Sequence, residues 1–121
     1  MKKIILCLDA DPGQHNIFSA ALLKNEQDYF LQQAISEEEA LKFLRESIPD
    51  FIFIDTGSDR INAMSVFEKL KDNSLLRHTK IILYGHVADY AIAEKAKVAG
   101  ATYIRKPYLI NTLAQVLKKL I

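Results

Sequence analysis

The sequence predicts an α/β fold, in which a five-stranded parallel sheet is flanked by helices. Strand-like and helix-like segments alternate five times along the 121 residues, and the connections between them are short. The segment 51–54 consists of four bulky apolar residues between two aspartates, which is typical of a short strand buried on both faces. A strand of that kind lies in the middle of a parallel sheet. Crossovers between parallel strands are right-handed, so the helices are expected to wind in that sense.

Length and composition predict one globular domain spanning residues 1–121. Half of the residues are hydrophobic and 26% are charged, and 16 basic against 15 acidic residues give a net charge of +1. Because there is no excess of positive charge, neither nucleic acid nor an acidic membrane surface is an expected partner.

The one cysteine and the absence of targeting signals suit the cytoplasm. Cys7 lies in an apolar run and is expected to be a buried reduced thiol. The sequence shows neither a signal peptide nor an apolar run of membrane-spanning length. With no appended segment, any output is expected to come from the domain's own surface.

Before the central strand, the first half of the chain contains two predicted strands and two predicted helices. Residues 3–8 form an apolar run that ends in Asp-Ala-Asp-Pro, and its proline suits a turn or the first position of a helix. A helix is predicted over 14–24, and the more polar segment 28–34 suits an edge strand. Ser36 precedes Glu39 by three residues, a capping-box pattern that opens the next helix.

The second half continues the alternation after the central strand. A glycine at position 100 follows an alanine-rich segment, as expected just past the end of a helix. The predicted elements are a helix over 63–70, a strand over 80–84, a helix over 89–99, a strand over 102–105 and a helix beginning near residue 110.

Charged side chains follow three of the predicted strands at the points where the strands end. Asp9 and Asp11 follow the first strand, Asp55 ends the third, and Lys106 follows the fifth. Ligands in open parallel sheets bind outside these carboxyl ends. Clustered carboxylates suit Mg²⁺ and a nearby lysine suits a phosphoryl group, so the set indicates metal-assisted phosphoryl transfer with Asp55 as the nucleophile. The alternative is a structural ion pair in which Lys106 only neutralises the acids.

Three stretches together resemble the receiver domain of two-component response regulators. They are residues 3–12 (KIILCLDADP), 49–55 (PDFIFID) and 100–107 (GATYIRKP), in this order and at these distances, and the resemblance covers essentially the whole chain. It implies a doubly wound, CheY-like (flavodoxin-like) sheet with helices on both faces and strand order 2-1-3-4-5. It also implies a signalling module rather than an enzyme.

The resemblance assigns roles to individual residues. Asp55 would be the phosphoacceptor, and Lys106 would contact the acyl phosphate. Asp9 and Asp11 fall in and beside the acidic pocket that holds Mg²⁺ together with the phosphoacceptor. Tyr103 falls on the aromatic switch position, and the peptide bond that follows Lys106 would be cis.

Two positions depart from the pattern of this family. Ala10 stands where the family has an acid that binds Mg²⁺ directly, so weak metal binding is expected. The switch hydroxyl at the end of the fourth strand is missing in its usual geometry: one count places Gly85 there, and a count back from Lys106 places Tyr84. Without that hydroxyl, Tyr103 is expected to make no differential contact with the two states, and its switching should be damped.

The three histidines show no metal-ligand spacing. His15 lies early in the first predicted helix, and His86 lies beside Gly85. We expect solvated side chains rather than a metal site, with the wall of the acidic pocket as an alternative place for His86.

The leading functional prediction is a stand-alone receiver that takes a phosphoryl group from a histidine kinase or a phosphotransfer protein. By resemblance, its downstream target would dock on the face formed by the fourth helix, the fifth strand and the fifth helix, and a homodimer stays open. The alternative is a pseudo-receiver, a phosphorylation-independent interaction module, which Ala10 and Gly85 favour. A nucleotide- or flavin-binding domain is disfavoured because none of the four glycines belongs to a phosphate-binding loop motif.

Overall fold

Residues 2–25, 28–86 and 90–121 are described by the computed structural model, and within these ranges five parallel strands form one sheet flanked by five α-helices. The strands are β1 (Lys3–Leu8), β2 (Tyr29–Ala34), β3 (Phe51–Asp55), β4 (Lys80–Gly85) and β5 (Thr102–Arg105). The helices are α1 (Pro12–Leu23), α2 (Glu37–Glu46), α3 (Ala63–Lys71), α4 (Tyr90–Val98) and α5 (Ile110–Leu120), with a short 3₁₀ helix at Ser74–Leu76. None of the helices in these ranges has both the length and the apolar character needed to cross a membrane.

The strands lie in the order β2-β1-β3-β4-β5, and every neighbouring pair is parallel. This confirms the predicted α/β class, the strand order 2-1-3-4-5 and the central position of β3. All residues of β3 are buried, as the continuous apolar run predicts, whereas β2 at the edge contains exposed positions. Asp55 lies opposite Tyr84 in the register, and Gly85 lies opposite Arg105.

Alternate residues of the strands point into two separate hydrophobic cores, one on each face of the sheet. On the face that we call the α2–α4 face, strand residues pack with side chains of α2, α3 and α4; the buried strand residues are Leu6, Leu8, Ala34, Ile52, Ile54 and Leu83. On the α1/α5 face, strand residues pack with side chains of α1 and α5; these are Ile5, Cys7, Phe51, Phe53, Ile82 and Tyr84. The predicted doubly wound arrangement, with helices on both faces, is therefore confirmed.

The α1 helix begins two residues earlier than the apolar pattern predicts. Pro12 occupies its first turn, and Asp11 caps it by accepting a hydrogen bond from the Gly13 N–H at 2.9 Å. A proline with a fixed φ and a carboxylate at the cap both favour a helix start. The prediction from apolar spacing missed this turn because its residues are polar or small.

The signals predicted at the ends of α2 and α4 are present. Ser36 caps α2 by accepting from the Glu39 N–H at 3.1 Å. Gly100 has a φ of +86°, the left-handed conformation in which an L side chain is strained, and it follows the end of α4. The fourth helix was predicted to begin at Asp89, which lies outside the described residues; the described helix begins at Tyr90.

Candidate functional site

One lysine and two aspartates form two buried ion pairs at the end of the sheet where the strands terminate. Asp9 follows β1, Asp55 ends β3 and Lys106 follows β5. The Lys106 Nζ atom lies 2.7 Å from Asp9 Oδ2 and 2.8 Å from Asp55 Oδ1. The exposed fractions of the lysine and the two aspartate side chains are 3%, 1% and 8%. The structure therefore brings together three of the four charged groups that follow the strands, and it places them out of bulk water.

The two carboxylate oxygens of Asp55 differ in their contacts. The Oδ1 atom accepts hydrogen bonds from Lys106 Nζ at 2.8 Å and from the Gly57 N–H at 3.2 Å. The Oδ2 atom takes no hydrogen bond from any residue that the structure describes. Asp55 also lines a cavity of about 350 Å³ at the sheet edge. One oxygen is thus held in place, and the other has its lone pairs available to a ligand.

Asp9 is held by hydrogen bonds to both of its carboxylate oxygens and to its backbone. The Oδ1 atom accepts from the Asp11 N–H at 3.0 Å, and the Oδ2 atom accepts from Lys106 Nζ and from the Tyr84 hydroxyl at 3.0 Å. The His15 Nε2 atom donates to the Asp9 backbone oxygen at 2.8 Å. Because these donors come from several elements, the orientation of Asp9 is set before any ligand binds.

Tyr84 belongs to this site, although sequence reasoning considered it only as a switch position. Its side chain is fully buried, and its ring packs edge-to-face against Phe18 and Phe53. Because its single hydroxyl hydrogen goes to Asp9, the Cys7 thiol donates to the hydroxyl oxygen, from which Sγ is 3.1 Å away. The ammonium group of the site lysine lies 4.4 Å from the centroid of the Tyr84 ring. Part of this arrangement could be predicted from the sequence. Strand side chains alternate between the two faces of a sheet, so Cys7, two residues before Asp9, is expected to face the same side as Asp9.

Burial raises the pKa of Cys7 and of Tyr84, the two groups that lie behind Asp9. For the Cys7 thiol, desolvation is the largest cause and raises the pKa from 9.0 to about 12. For Tyr84, desolvation is again the largest cause, and the neighbouring Cys7 and Asp9 add to it, so the pKa lies well above its ordinary 10.0. Both groups therefore keep their protons at neutral pH. The hydrogen bonds run in one direction, from Cys7 through Tyr84 to Asp9.

The carboxylates around the cavity match Mg²⁺ in chemistry but are few in number. Asp9, Asp11 and Asp55 all line it, and Mg²⁺ prefers oxygen ligands. Both Asp9 oxygens already accept hydrogen bonds, and the Asp11 Oδ1 atom accepts from the Gly13 N–H. In the part of the chain that the structure describes, no group of three or more His, Cys, Asp or Glu side chains is arranged to hold a metal ion. The donor set therefore fits a weakly held ion, and Ala10, which also lines the cavity, contributes no ligand.

The structure distinguishes the two candidate switch positions at the end of β4. Tyr84 packs in the core of the α1/α5 face. A Cβ atom placed on Gly85 would lie 3.3 Å from the Tyr103 hydroxyl oxygen, and Tyr103 packs against the core of the α2–α4 face. Gly85, rather than Tyr84, is therefore the position that faces Tyr103.

The expectation of a cis peptide bond after Lys106 is wrong in this structure. The bond between Lys106 and Pro107 is trans. The trans isomer is intrinsically favoured before proline by about 0.5–1 kcal/mol. With the trans bond in place, the Lys106 N–H donates to the Gly85 oxygen at 2.6 Å and the ammonium group still reaches both aspartates.

Two of the histidines are not the solvated side chains that the sequence led us to expect. His15 is 4% exposed, and its Nε2 atom lies 2.8 Å from the Asp9 oxygen and 3.1 Å from the Ala34 oxygen. Two carbonyl acceptors identify that nitrogen as the protonated one. His86 is half-buried and lines the cavity, which is the alternative place given for it, and it stacks on Tyr108 with ring centroids 4.1 Å apart. Spacing along the sequence could not reveal His15, because its partners come from two different strand ends.

Comparison with known proteins gives one family. The chain matches the model of the response regulator receiver domain over residues 5–118. The polar-differentiation response regulator DivK of Brucella ovis is 31% identical over 81 residues, a stretch that covers 66% of this chain and 66% of that protein, just under two thirds of each.

Solved structures agree in fold. A response regulator from Thermotoga maritima superimposes with a TM-score of 0.83 at 23% identity and covers 100% of this chain and 98% of that chain. The chemotaxis response regulator CheY4 of Vibrio cholerae superimposes with a TM-score of 0.83 at 19% identity, with 100% of both chains covered. At these identities the similarity concerns the CheY-like architecture.

Proposed function

This chain belongs to the response regulator receiver family, and we propose that it accepts a phosphoryl group on Asp55 from a histidine kinase or a phosphotransfer protein. Receiver domains are signalling modules of two-component systems, and we take residues 1–121 as one such domain. The state of Asp55 supports the proposal best, because Lys106 and the Gly57 N–H hold one oxygen while the other takes no hydrogen bond from the described residues. A carboxylate fixed in this way beside a cavity is preorganised as a nucleophile.

In the proposed transfer, Asp55 Oδ2 forms a bond to phosphorus while the phosphorus–nitrogen bond of the donor phosphohistidine breaks. The electron pair of that bond stays on the imidazole nitrogen, which takes up a proton. Negative charge is spread over the phosphoryl oxygens, and Lys106, which already contacts Asp55 Oδ1, is placed to pair with it. A weakly held Mg²⁺ beside Asp9, Asp11 and Asp55 would offset a further part of that charge.

The hydrogen bonds behind Asp9 allow Lys106 to change partners. Asp9 Oδ2 accepts from both Lys106 and the Tyr84 hydroxyl. When the ammonium group turns toward a phosphoryl oxygen, Asp9 keeps the hydrogen bond from Tyr84 and the one from the Asp11 N–H. The buried carboxylate is then not left without donors, which lowers the free-energy cost of the exchange.

Phosphorylation of Asp55 is tested by intact mass after incubation with acetyl phosphate and Mg²⁺. We expect the wild type to gain the mass of one phosphoryl group and Asp55→Asn to gain none, because the amide has no nucleophilic carboxylate oxygen. Asp59→Asn is the matched control: Asp59 is an exposed acid in the loop after β3 that lines the same cavity, and its loss should leave the mass gain intact. An equal gain in Asp55→Asn would contradict the assignment.

A second candidate function is a pseudo-receiver that binds a partner without phosphorylation. Two features favour it: Lys106 already pairs with both buried carboxylates, and Ala10 supplies no metal ligand. If the folded wild type gains no mass with either acetyl phosphate or carbamoyl phosphate, this second function becomes the better one.

Ala10→Asp should lower the free energy of unfolding by about 1 kcal/mol in the absence of metal, because it adds a further negative charge to a cavity that Asp9, Asp11 and Asp55 already line. Mg²⁺ binds only the folded chain, so millimolar Mg²⁺ should recover this loss and raise the melting temperature of the variant more than that of the wild type. Faster phosphorylation of Asp55 should accompany the tighter binding.

Thermal melts across a Mg²⁺ titration measure this effect. Ala10→Asn, which adds similar bulk without the charge, should show neither the loss nor the recovery. If Ala10→Asp melts at the same temperature with and without millimolar Mg²⁺, the cavity does not have the geometry of a metal-dependent receiver.

The face formed by α4, β5 and α5 is the surface we propose for a downstream protein. Large apolar side chains are exposed on and beside these elements; they are Tyr90, Val98, Tyr108 and Leu109. Exposed apolar side chains in one region suit a protein partner, and a homodimer would use the same face twice. We place the phosphoryl transfer in the cytoplasm, where the buried Cys7 thiol stays reduced. With a net charge of +1, we propose no nucleic acid or membrane partner.

A further inference from the structure

The Thr56 hydroxyl occupies the place where a side chain at position 85 would begin. Thr56 directly follows β3, Gly85 ends β4 and Tyr103 lies on β5. A Cβ atom built on Gly85 would overlap Thr56 Oγ1 and would lie 3.3 Å from the Tyr103 hydroxyl oxygen. The glycine therefore leaves room for a hydroxyl that comes from the neighbouring strand. The Thr56 hydroxyl and the Tyr103 hydroxyl both lie close to this Cβ position.

The hydrogen bond that Thr56 now makes is weak and can be exchanged. Its Oγ1 atom donates to the Tyr84 backbone oxygen at 3.3 Å, which is long for a bond between two oxygens. The same oxygen also accepts from the Thr56 N–H at 2.9 Å. If the hydroxyl turns away, the Tyr84 oxygen keeps its backbone partner, so no buried acceptor is left without a donor.

We propose that Thr56 supplies the coupling hydroxyl that Gly85 lacks, and that it is the positioning residue through which a phosphoryl group on Asp55 changes the surroundings of Tyr103. This inference rests on the proposed function of Asp55. Thr56 is the next residue along the chain, and rotation about its Cα–Cβ bond moves the hydroxyl without moving the backbone. A charged phosphoryl oxygen is a stronger acceptor than the Tyr84 carbonyl, so phosphorylation favours the turn.

Rotation of Thr56 would give Tyr103 contacts that differ between the phosphorylated and the unphosphorylated state. A side chain responds to a ligand only if its contacts differ between the two states. When the Thr56 hydroxyl turns, the polar surroundings of the Tyr103 hydroxyl change. The end of the fourth strand alone predicts damped switching, because the hydroxyl is missing there in its usual geometry; with Thr56 included, a response of Tyr103 is expected.

The test uses ¹⁹F NMR of protein labelled with 3-fluorotyrosine, with and without beryllofluoride as a mimic of the phosphoryl group. The Tyr103 signal is assigned with Tyr103→Phe, and binding is measured separately from the signal of bound beryllofluoride. The wild type and Thr56→Ser, which keeps the hydroxyl, should show a shift of the Tyr103 signal on binding. In Thr56→Val, which has the same shape without the hydroxyl, the shift should fall at least about fourfold while beryllofluoride still binds. Thr56→Ala, measured in parallel, removes the hydroxyl and cannot overpack the site.

Each outcome separates this inference from the proposed function of Asp55. If beryllofluoride binds all proteins and the shift in Thr56→Val and Thr56→Ala equals that of the wild type, the coupling role of Thr56 is wrong and Asp55 keeps its function. Binding to the wild type without any shift of Tyr103 overturns the coupling in the same way. If the wild type binds no beryllofluoride, the proposed function fails, and the coupling fails with it.

Discussion

Lys106→Met should lower the free energy of unfolding by about 3–5 kcal/mol. The substitution keeps a flexible chain of similar volume and removes a cation that contacts both Asp9 and Asp55. These carboxylates are almost completely buried, so each would lose its charged partner without gaining water in exchange. Breaking a buried ion pair from one side is costly for this reason, even where replacing the whole pair is not.

Chemical denaturation at neutral pH measures the loss, and an exposed ion pair provides the control. Lys69 lies 3.0 Å from Glu37, but the exposed fractions of the two side chains are 61% and 37%. Lys69→Met should therefore change the free energy of unfolding by only about 0–1 kcal/mol. A loss in Lys106→Met as small as that in Lys69→Met would show that solvent reaches the two aspartates and that the ion pair is not what holds the site together.

The folded protein should lose stability above pH 9, and Cys7 should account for a measurable part of the loss. Burial raises the pKa of the thiol from 9.0 to about 12, so the folded chain keeps a proton that the unfolded chain releases. The stabilisation is fully present below pH 9.0 and declines as the pH rises toward 12. The slope is about 1.4 kcal/mol per pH unit for one such group, which makes the loss about 2 kcal/mol by pH 10.5.

The contribution of Cys7 is isolated by comparison with Cys7→Ala, which has no thiol to titrate. The free energy of unfolding of both proteins is measured from pH 8 to pH 10.5, and the difference between them should shrink as the pH rises. Tyr84, whose pKa is also raised by burial, begins to contribute only above its ordinary 10.0 and does so in both proteins. A difference that stays constant over this range would mean that the thiol ionises in the folded protein as readily as in the unfolded chain.

Most of the fold could be predicted because each strand has a local signature. The apolar run of β3 and the helix end marked by Gly100 are properties of a few neighbouring residues, and both are seen in the structure. The start of α1 was misplaced because Asp11 and Pro12 act through a cap and a fixed dihedral angle, which leave no trace in apolar spacing.

The site could be predicted only in part, because its remaining members depend on register. Asp9, Asp55 and Lys106 meet since all parallel strands end at one edge, which follows from topology alone. Tyr84 and Thr56 take their places because β4 pairs with β3 in one register and not in another. A shift of one residue would turn every side chain of a strand to the opposite face. Because β3 and β4 are apolar on both faces, they lack the alternation of apolar and polar residues that would state the register.

The separation of the two cores makes this chain open to redesign one face at a time. Substitutions in the core behind α1 and α5 share few neighbours with those in the core behind α2, α3 and α4, since the sheet lies between them. Their effects on the free energy of unfolding should then add to within about 0.3–0.5 kcal/mol. A designer could strengthen the packing around Phe18 and Phe53 and leave the environment of Tyr103 unchanged, so that thermal tolerance and signalling output become separately adjustable properties.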